Sequence, residues 1–232
     1  MRTTPITRLL FLVTMIICDG SFCMAIGSKP TDDTPERRTF GLIGNIKEVQ
    51  ISITDNSEDI VDDPILEDQL MTFDEKGRIT RDINDCEYVY DAQGTFIKGA
   101  KEYTKMERDE KGRIKCYETR LDDEDPDCYR YTYRYDTKGR PTTIELLLWE
   151  GLYTNTFTYS GDNVYPDKLA IEGDEEGDHY SIVVTYEYKS FDEQGNWTER
   201  VCNTETRITS LGDTDITQES MSTLEQREIT YY

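Results

Sequence analysis

The side chains able to do covalent or metal chemistry in this sequence are its cysteines and its single histidine. Of the 6 cysteines, two lie in the first 25 residues, and the others are Cys86, Cys116, Cys128 and Cys202. An even number is compatible with two disulfides, and Cys116 and Cys128 form the best local pair because they flank one predicted hairpin. Buried thiols are the alternative. The cysteines lack the CxxC spacing of a zinc site, so we expect no metal site.

Carboxylates crowd three stretches, 55–68, 122–127 and 174–178. Calcium prefers such oxygen-rich loops, but none has the ligand order of an EF-hand, so solvated acidic loops are the main interpretation and Ca²⁺ is the alternative. The sequence has no Gly-x-Ser-x-Gly, His-Glu-x-x-His or phosphate-binding glycine motif, and His179 stands alone. We therefore expect a non-enzymatic protein with no catalytic residue and no cofactor. A hydrolase with paired carboxylates is an alternative.

Aromatic rings offer a further chemistry, stacking on sugars. The candidate binding surface consists of Tyr129, Tyr131, Tyr133, Trp149 and Trp197. Because amphipathic rings suit both a packed sheet and a sugar-binding surface, two interpretations remain open, and core packing is the simpler one.

A recurring five-residue motif must position these side chains: an aromatic or bulky residue, Asp, two variable residues and Gly. Its five copies occupy 73–77, 90–94, 108–112, 135–139 and 191–195. Asp at the start of a turn accepts hydrogen bonds from nearby backbone N–H groups, and Gly adopts positive φ without a Cβ clash. Each copy therefore predicts a hairpin turn.

The segments between the turns alternate with the period of two that a strand requires, as in 128–135, where four tyrosines share one face. Short turns join antiparallel neighbours. We therefore predict an all-β fold, an antiparallel meander of repeated β-hairpins forming one long curled or partly closed sheet. The polar, Thr-rich segment 203–226 predicts either a long loop or a ragged hairpin.

The closest copy of the motif reads Tyr135-Asp136-Thr137-Lys138-Gly139-Arg140. It resembles the tyrosine–aspartate (YD, or Rhs-type) repeats of large bacterial surface and toxin-delivery proteins over about 66–199. The C-terminal part, 191–198 followed by 227–232, is similar to the ending of small exported proteins from gut Bacteroidetes. The copies are few and irregularly spaced, and Arg108 occupies one aromatic position, so the resemblance implies a hairpin fold but does not imply an encapsulating shell.

Residues 1–25 have the features of a secretory signal peptide, with Arg2 and Arg8 before an apolar stretch and a small-x-small cleavage site at 23–25. The apolar stretch is too short to span a bilayer, so we expect no membrane span after cleavage. A lipid-anchored form is the alternative. We predict a flexible N-terminal segment over 26–39, a YD-repeat-like β domain over 40–232, and a periplasmic, extracellular or cell-surface location.

The net charge of −22 argues against nucleic acid and anionic lipid as partners. The preferred hypothesis is an exported binding module of the cell envelope that recognises a glycan, a peptide or an envelope protein. A structural or assembly protein that pairs through exposed strands is the second hypothesis.

Overall fold

A computed structural model describes residues 37, 40–55, 65–83, 87–92, 96–99, 105–120, 128–148, 151–163, 165–175, 177–210 and 216–232. These residues form fourteen β-strands. In chain order they are β1 Ile46–Asp55, β2 Ile65–Phe73, β3 Ile79–Arg81, β4 Tyr88–Tyr90, β5 Phe96–Gly99, β6 Lys105–Arg108, β7 Ile114–Arg120, β8 Cys128–Tyr135, β9 Pro141–Leu147, β10 Gly151–Thr158, β11 Lys168–Glu175, β12 Asp178–Phe191, β13 Trp197–Ser210 and β14 Ile216–Tyr231. Within the described part of the chain, no helix is long and apolar enough to cross a bilayer.

Twelve strands form one antiparallel sheet, in the order β3-β2-β1-β14-β13-β12-β11-β10-β9-β8-β7-β6, while β4 and β5 form a separate hairpin. The predicted all-β antiparallel class is confirmed. The meander is not strictly sequential, because β1 pairs with β14 along its whole length. The first three strands thereby extend the sheet beyond the last strand. The sheet has two edges, β3 and β6, and does not close into a barrel.

The predicted turns are confirmed at four of the five copies; the glycine of the second copy lies outside the described residues. Gly77, Gly112, Gly139 and Gly195 all have positive φ, between 76° and 90°. In each turn the Asp Oδ1 accepts hydrogen bonds from the backbone N–H groups two and four residues later, at 2.8–3.0 Å. The Asp side chain therefore holds the reversal, and Gly supplies the conformation that other residues avoid.

One face of the curled sheet carries the core. Its buried side chains come from nearly every strand, including Ile51 on β1, Ile144 on β9 and Val184 on β12, at 0–1% exposure. The opposite face is mostly polar, as expected for an antiparallel sheet with one solvated side. Phe40 and Ile79 from one end of the sheet line the same cavity as Met106 and Ile114 from the other. The sheet therefore curls until its two edges share a core.

Segment 203–226 forms a hairpin over the described residues, one of the two predicted alternatives, but the hairpin is regular, because β13 and β14 pair in continuous register from Glu199↔Gln226 to Thr209↔Ile216. The predicted raggedness was wrong because polar side chains occupy the inner face of these strands. Thr204, Thr206 and Thr223 are at most 9% exposed. Arg37, the only described residue of 26–39, is also buried rather than flexible, with Nη2 donating to the carbonyl of Asp74 at 3.0 Å.

Candidate functional site

Consecutive copies of the turn motif are joined by an arginine and a tyrosine. Arg113 follows the turn Gly112, and its Nε donates to Asp109 Oδ2 at 2.7 Å. Its guanidinium carbon lies 4.1 Å from the ring centroid of Tyr135, the aromatic residue of the next copy. The Tyr135 hydroxyl then donates to the carbonyl of Ile114 at 2.7 Å. We call this arrangement the Arg–Tyr lock; it combines a cation–π contact with two hydrogen bonds.

The Arg–Tyr lock recurs between other strands. Arg140 stacks on Tyr159 at 4.3 Å, and the Tyr159 hydroxyl donates to the carbonyl of Pro141 at 2.8 Å. Arg78 stacks on Tyr90 at 4.4 Å, which ties β4 to β3. Each lock therefore fastens the second strand of a hairpin to the strand that follows it.

The sequence lacks both the arginine and the tyrosine of the lock between β5 and β6. Thr95 stands where the arginine of the second copy belongs, and Arg108 stands in the aromatic position of the third. Strand pairing among the described residues also stops here, since β5 pairs only with β4 and β6 only with β7. By contrast, β11 and β12 pair without an arginine, and there the Tyr188 hydroxyl donates to the carbonyl of Pro166 at 2.9 Å. We call the break between Phe96–Gly99 and Lys105–Arg108 the seam.

A cavity of about 30 Å³ lies near the seam, room for one or two water molecules. Its described lining is aromatic and aliphatic with one carboxylate: Phe40, Ile79, Asp82, Tyr88, Met106, Ile114, Tyr117, Tyr131 and Tyr133. The Tyr88 hydroxyl donates to Asp82 Oδ2 at 2.6 Å and lies 2.7 Å from the Tyr117 hydroxyl. These bonds attach the β4–β5 hairpin to both ends of the large sheet.

The cavity chemistry is that of a structural polar cluster. Burial raises the pKa of Tyr88 well above its ordinary value, and Tyr117 and Asp82 raise it further. Tyr88 is therefore a neutral hydrogen-bond donor at physiological pH. Asp82 is the single carboxylate among the described lining residues, and a hydrolase pair needs two. Sequence reasoning missed Asp82, Tyr88 and Tyr117 because nothing in their spacing marks them as neighbours.

The backbone is the more accessible feature of the seam. β6 is an edge strand of the sheet, and three of its four side chains are exposed. On the neighbouring hairpin, Val89 and Ile97 are 49% and 61% exposed although both are aliphatic. An edge strand offers backbone N–H and C=O groups to an incoming strand. The arrangement is therefore suited to pairing with another extended segment.

The predicted Cys116–Cys128 pair is wrong for this structure. The register places Cys116 opposite Thr132 and Cys128 opposite Arg120, four residues apart along β8. That separation is about 13 Å, whereas a disulfide needs Cα atoms about 5.5 Å apart. Cys116 is a free thiol, and burial raises its pKa. Cys202 is a buried thiol whose Sγ lies 3.1 Å from Glu225 Oε1, and Cys86 lies outside the described residues.

The candidate aromatic surface is also wrong as an open platform. Tyr131, Tyr133 and Trp197 are 5%, 7% and 0% exposed, Tyr129 is half-buried, and Trp149 lies outside the described residues. The inner face of the curled sheet covers these rings. The simpler interpretation, core packing, is confirmed for the described members.

A second polar cluster surrounds Trp197 inside the sheet. Arg200 donates from Nε to Glu225 Oε2 at 2.8 Å, and its Nη2 lies 2.6 Å from the same oxygen. The guanidinium carbons of Arg200 and Arg227 lie 4.1 and 3.6 Å from the Trp197 ring centroid. Burial would lower the pKa of Arg200, but Glu225 more than offsets it, so that pKa stays well above its usual range. The cluster is a buried ion pair packed on an aromatic ring.

No group of three or more His, Cys, Asp or Glu side chains that could hold a metal ion occurs among the described residues. Asn196, part of a formal glycosylation sequon, is fully buried and exchanges two hydrogen bonds with the backbone of Ile43 at 2.8 and 2.9 Å. It therefore serves the fold rather than modification.

No protein-family model, no curated protein and no solved structure matches this chain. The resemblance to tyrosine–aspartate repeat proteins therefore stays a prediction, and function has to be inferred from the seam itself.

Proposed function

We propose that this chain is an exported, non-enzymatic binding module of the cell envelope that accepts an extended polypeptide segment at the seam by β-strand addition. The observation that carries the proposal is the coincidence of the missing Arg–Tyr lock with the break in strand pairing between β5 and β6. Export rests on the signal-peptide pattern of residues 1–25.

Strand addition fits the seam because main-chain hydrogen bonds supply affinity while alternate side chains supply specificity. The inward-facing side of β6 carries Met106, which lines the cavity with Tyr117 and Tyr131. An incoming strand would extend the sheet from β6 and place its alternate apolar side chains beside this lining. Its other face would meet solvent, as the outer face of the sheet does.

A peptide is favoured over a glycan because Tyr131, Tyr133 and Trp197 of the candidate aromatic surface are buried inside the sheet. A catalytic role has less support, since Asp82 is already hydrogen-bonded by Tyr88 and is the single carboxylate among the described residues that line its cavity. The described edge strands also support the assembly hypothesis, in which the added strand comes from a structural partner.

The test uses a displayed library of ten-residue segments that alternate apolar and polar residues, selected on the mature wild-type protein. The matched control is the double variant Thr95→Arg/Arg108→Tyr, which supplies both halves of the missing lock. We expect enriched segments to bind the wild type at least tenfold more tightly than this variant. On binding, hydrogen exchange should slow at the β6 amides.

A second control tests the backbone directly. The best segment is synthesised with N-methyl groups on alternate amides, which removes the donors a ladder needs. Two results would refute the proposal: no segment is enriched on the wild type relative to the double variant, or the N-methylated peptides bind as tightly as the parent.

A further inference from the structure

Two leucines lie side by side on the solvent-facing side of the sheet, away from the seam. Leu147 on β9 and Leu152 on β10 are direct cross-strand partners, and they are 46% and 51% exposed. Their sequence neighbours Leu146 and Tyr153 point the other way and are completely buried. Because directly opposed side chains have Cβ atoms about 5 Å apart, the two leucines form one continuous apolar surface.

Carboxylates outnumber cations around this leucine pair. On the β8 side, Arg130 is already engaged, with its Nη2 2.6 Å from Glu118 Oε2. On the β11 side, Asp174 is the register partner of Leu152 and its side chain is 81% exposed. Glu172, on the same face of β11, is 52% exposed, and both carboxylates contact the ring of His179.

Further carboxylates follow in the sequence close to these strand ends. Asp178 begins β12, directly after the turn that follows Glu175. In the sequence, segment 121–127, which joins β7 to β8, holds five carboxylates and no Lys or Arg. The leucine pair thus lies on the more acidic flank of a chain whose net charge is −22.

We propose that Leu147 and Leu152, with Glu172 and Asp174, form a docking surface for a basic segment of a partner protein that carries apolar side chains between its Lys or Arg residues. The leucines remove apolar surface from water on contact, and the carboxylates select the charge of the partner. A second copy of this chain is disfavoured because two strongly acidic surfaces repel each other, and anionic lipid is disfavoured for the same reason.

The test measures binding of a ten-residue peptide of alternating Leu and Lys by isothermal titration calorimetry at physiological salt. A Ser-Lys peptide keeps the charge without the apolar side chains, and a Leu-Glu peptide inverts the charge. We expect the Leu-Lys peptide to bind at least tenfold more tightly than either control. The variant Leu147→Ser/Leu152→Ser should reduce its affinity at least tenfold, and its thermal unfolding checks that it stays folded.

The matched control is Phe191→Ser/Ile216→Ser, which removes two apolar side chains that are 51% and 46% exposed at other places on the sheet, and it should leave the affinity unchanged. The Thr95→Arg/Arg108→Tyr variant should also bind normally, since this surface is independent of the seam. Equal binding of the Ser-Lys peptide, or full affinity in the Leu147→Ser/Leu152→Ser variant, would overturn the proposal. An equal loss of affinity in the Thr95→Arg/Arg108→Tyr variant would assign the peptide to the seam instead and would likewise overturn the proposal.

Discussion

Removing the charge of Glu225 is the sharpest available test of how the interior of the sheet is stabilised. The Glu225 side chain is 2% exposed and lies within 2.6–2.8 Å of two Arg200 nitrogens. Arg227 is buried in the same cluster against Trp197. Glu225→Gln keeps the shape of the side chain but leaves the guanidinium of Arg200 buried without its counter-charge.

The expected cost follows from the burial of both partners. Breaking a buried ion pair by neutralising one member destabilises by about 3–5 kcal/mol. Native domains are stable by only about 5–15 kcal/mol, so this change removes a large part of the total. For a chain of this size, each kcal/mol lowers the unfolding temperature by roughly 2–4 °C. Glu225→Gln should therefore unfold roughly 6–20 °C below the wild type.

Urea and thermal unfolding of the mature protein measure this loss. The matched control is Glu228→Gln, an exposed carboxylate on the same strand, which should change stability by no more than about 0.5 kcal/mol. The double variant Arg200→Leu/Glu225→Leu removes both charges and should be more stable than Glu225→Gln. A cost below about 1 kcal/mol for Glu225→Gln would show that the pair is not desolvated in the folded protein.

Three further changes test other parts of the fold. Gly173→Ala places a Cβ 2.2 Å from Tyr153 Cδ1 in the core and should cost about 1–3 kcal/mol in urea unfolding; a change near zero would mean that the Tyr153 ring moves freely. Asn196→Ala leaves the Ile43 backbone groups unpaired and should cost about 1–3 kcal/mol per buried group, while Ser190→Ala on the exposed face serves as its control. Burial would raise the pKa of Asp136, but hydrogen bonds from Arg140 hold that pKa below its ordinary value. The resulting stabilisation is present above about pH 4 and is lost as the pH falls through the lower folded pKa. Asp136→Asn should therefore show a shallower loss of stability between pH 5 and pH 2 than the wild type, and equal slopes would contradict the assignment.

The turns and the inward tyrosines could be predicted because their causes are local. Asp and Gly set the reversal within five residues, as at 136–140, and strict alternation puts Tyr131 and Tyr133 on one side of β8. These signals need no knowledge of distant residues. The all-β class therefore follows directly from the sequence.

The pairing of β1 with β14 and the polar interior of β13 and β14 could not be predicted in the same way. Glu225 and Arg227 look like exposed residues in the sequence, because the side chains that accommodate them, such as Arg200 and Trp197, come from a neighbouring strand. Burial of a charge is a property of the assembled cluster. The polar composition of 203–226 therefore predicted a long loop or a ragged hairpin where a regular hairpin forms.

The seam could be predicted only in part. The substitutions at Thr95 and Arg108 are visible in the sequence, but their meaning depends on seeing Arg113 stack on Tyr135 and Arg140 on Tyr159. The predicted Cys116–Cys128 pair failed for a related reason, since flanking one hairpin does not fix the cross-strand register.

Because β14 fills the space between β1 and β13, the last strand in chain order occupies the middle of the sheet, not its margin. The backbone N–H of Tyr232 donates to the carbonyl of Asn45, so the end of β14 lies beside the start of β1. A variant that lacks β14 would hold two half-sheets with nothing between them. Deletion of β14 should thus be far more damaging than deletion of the edge strand β3, and a permuted variant that joins Tyr232 directly to Asn45 should still fold.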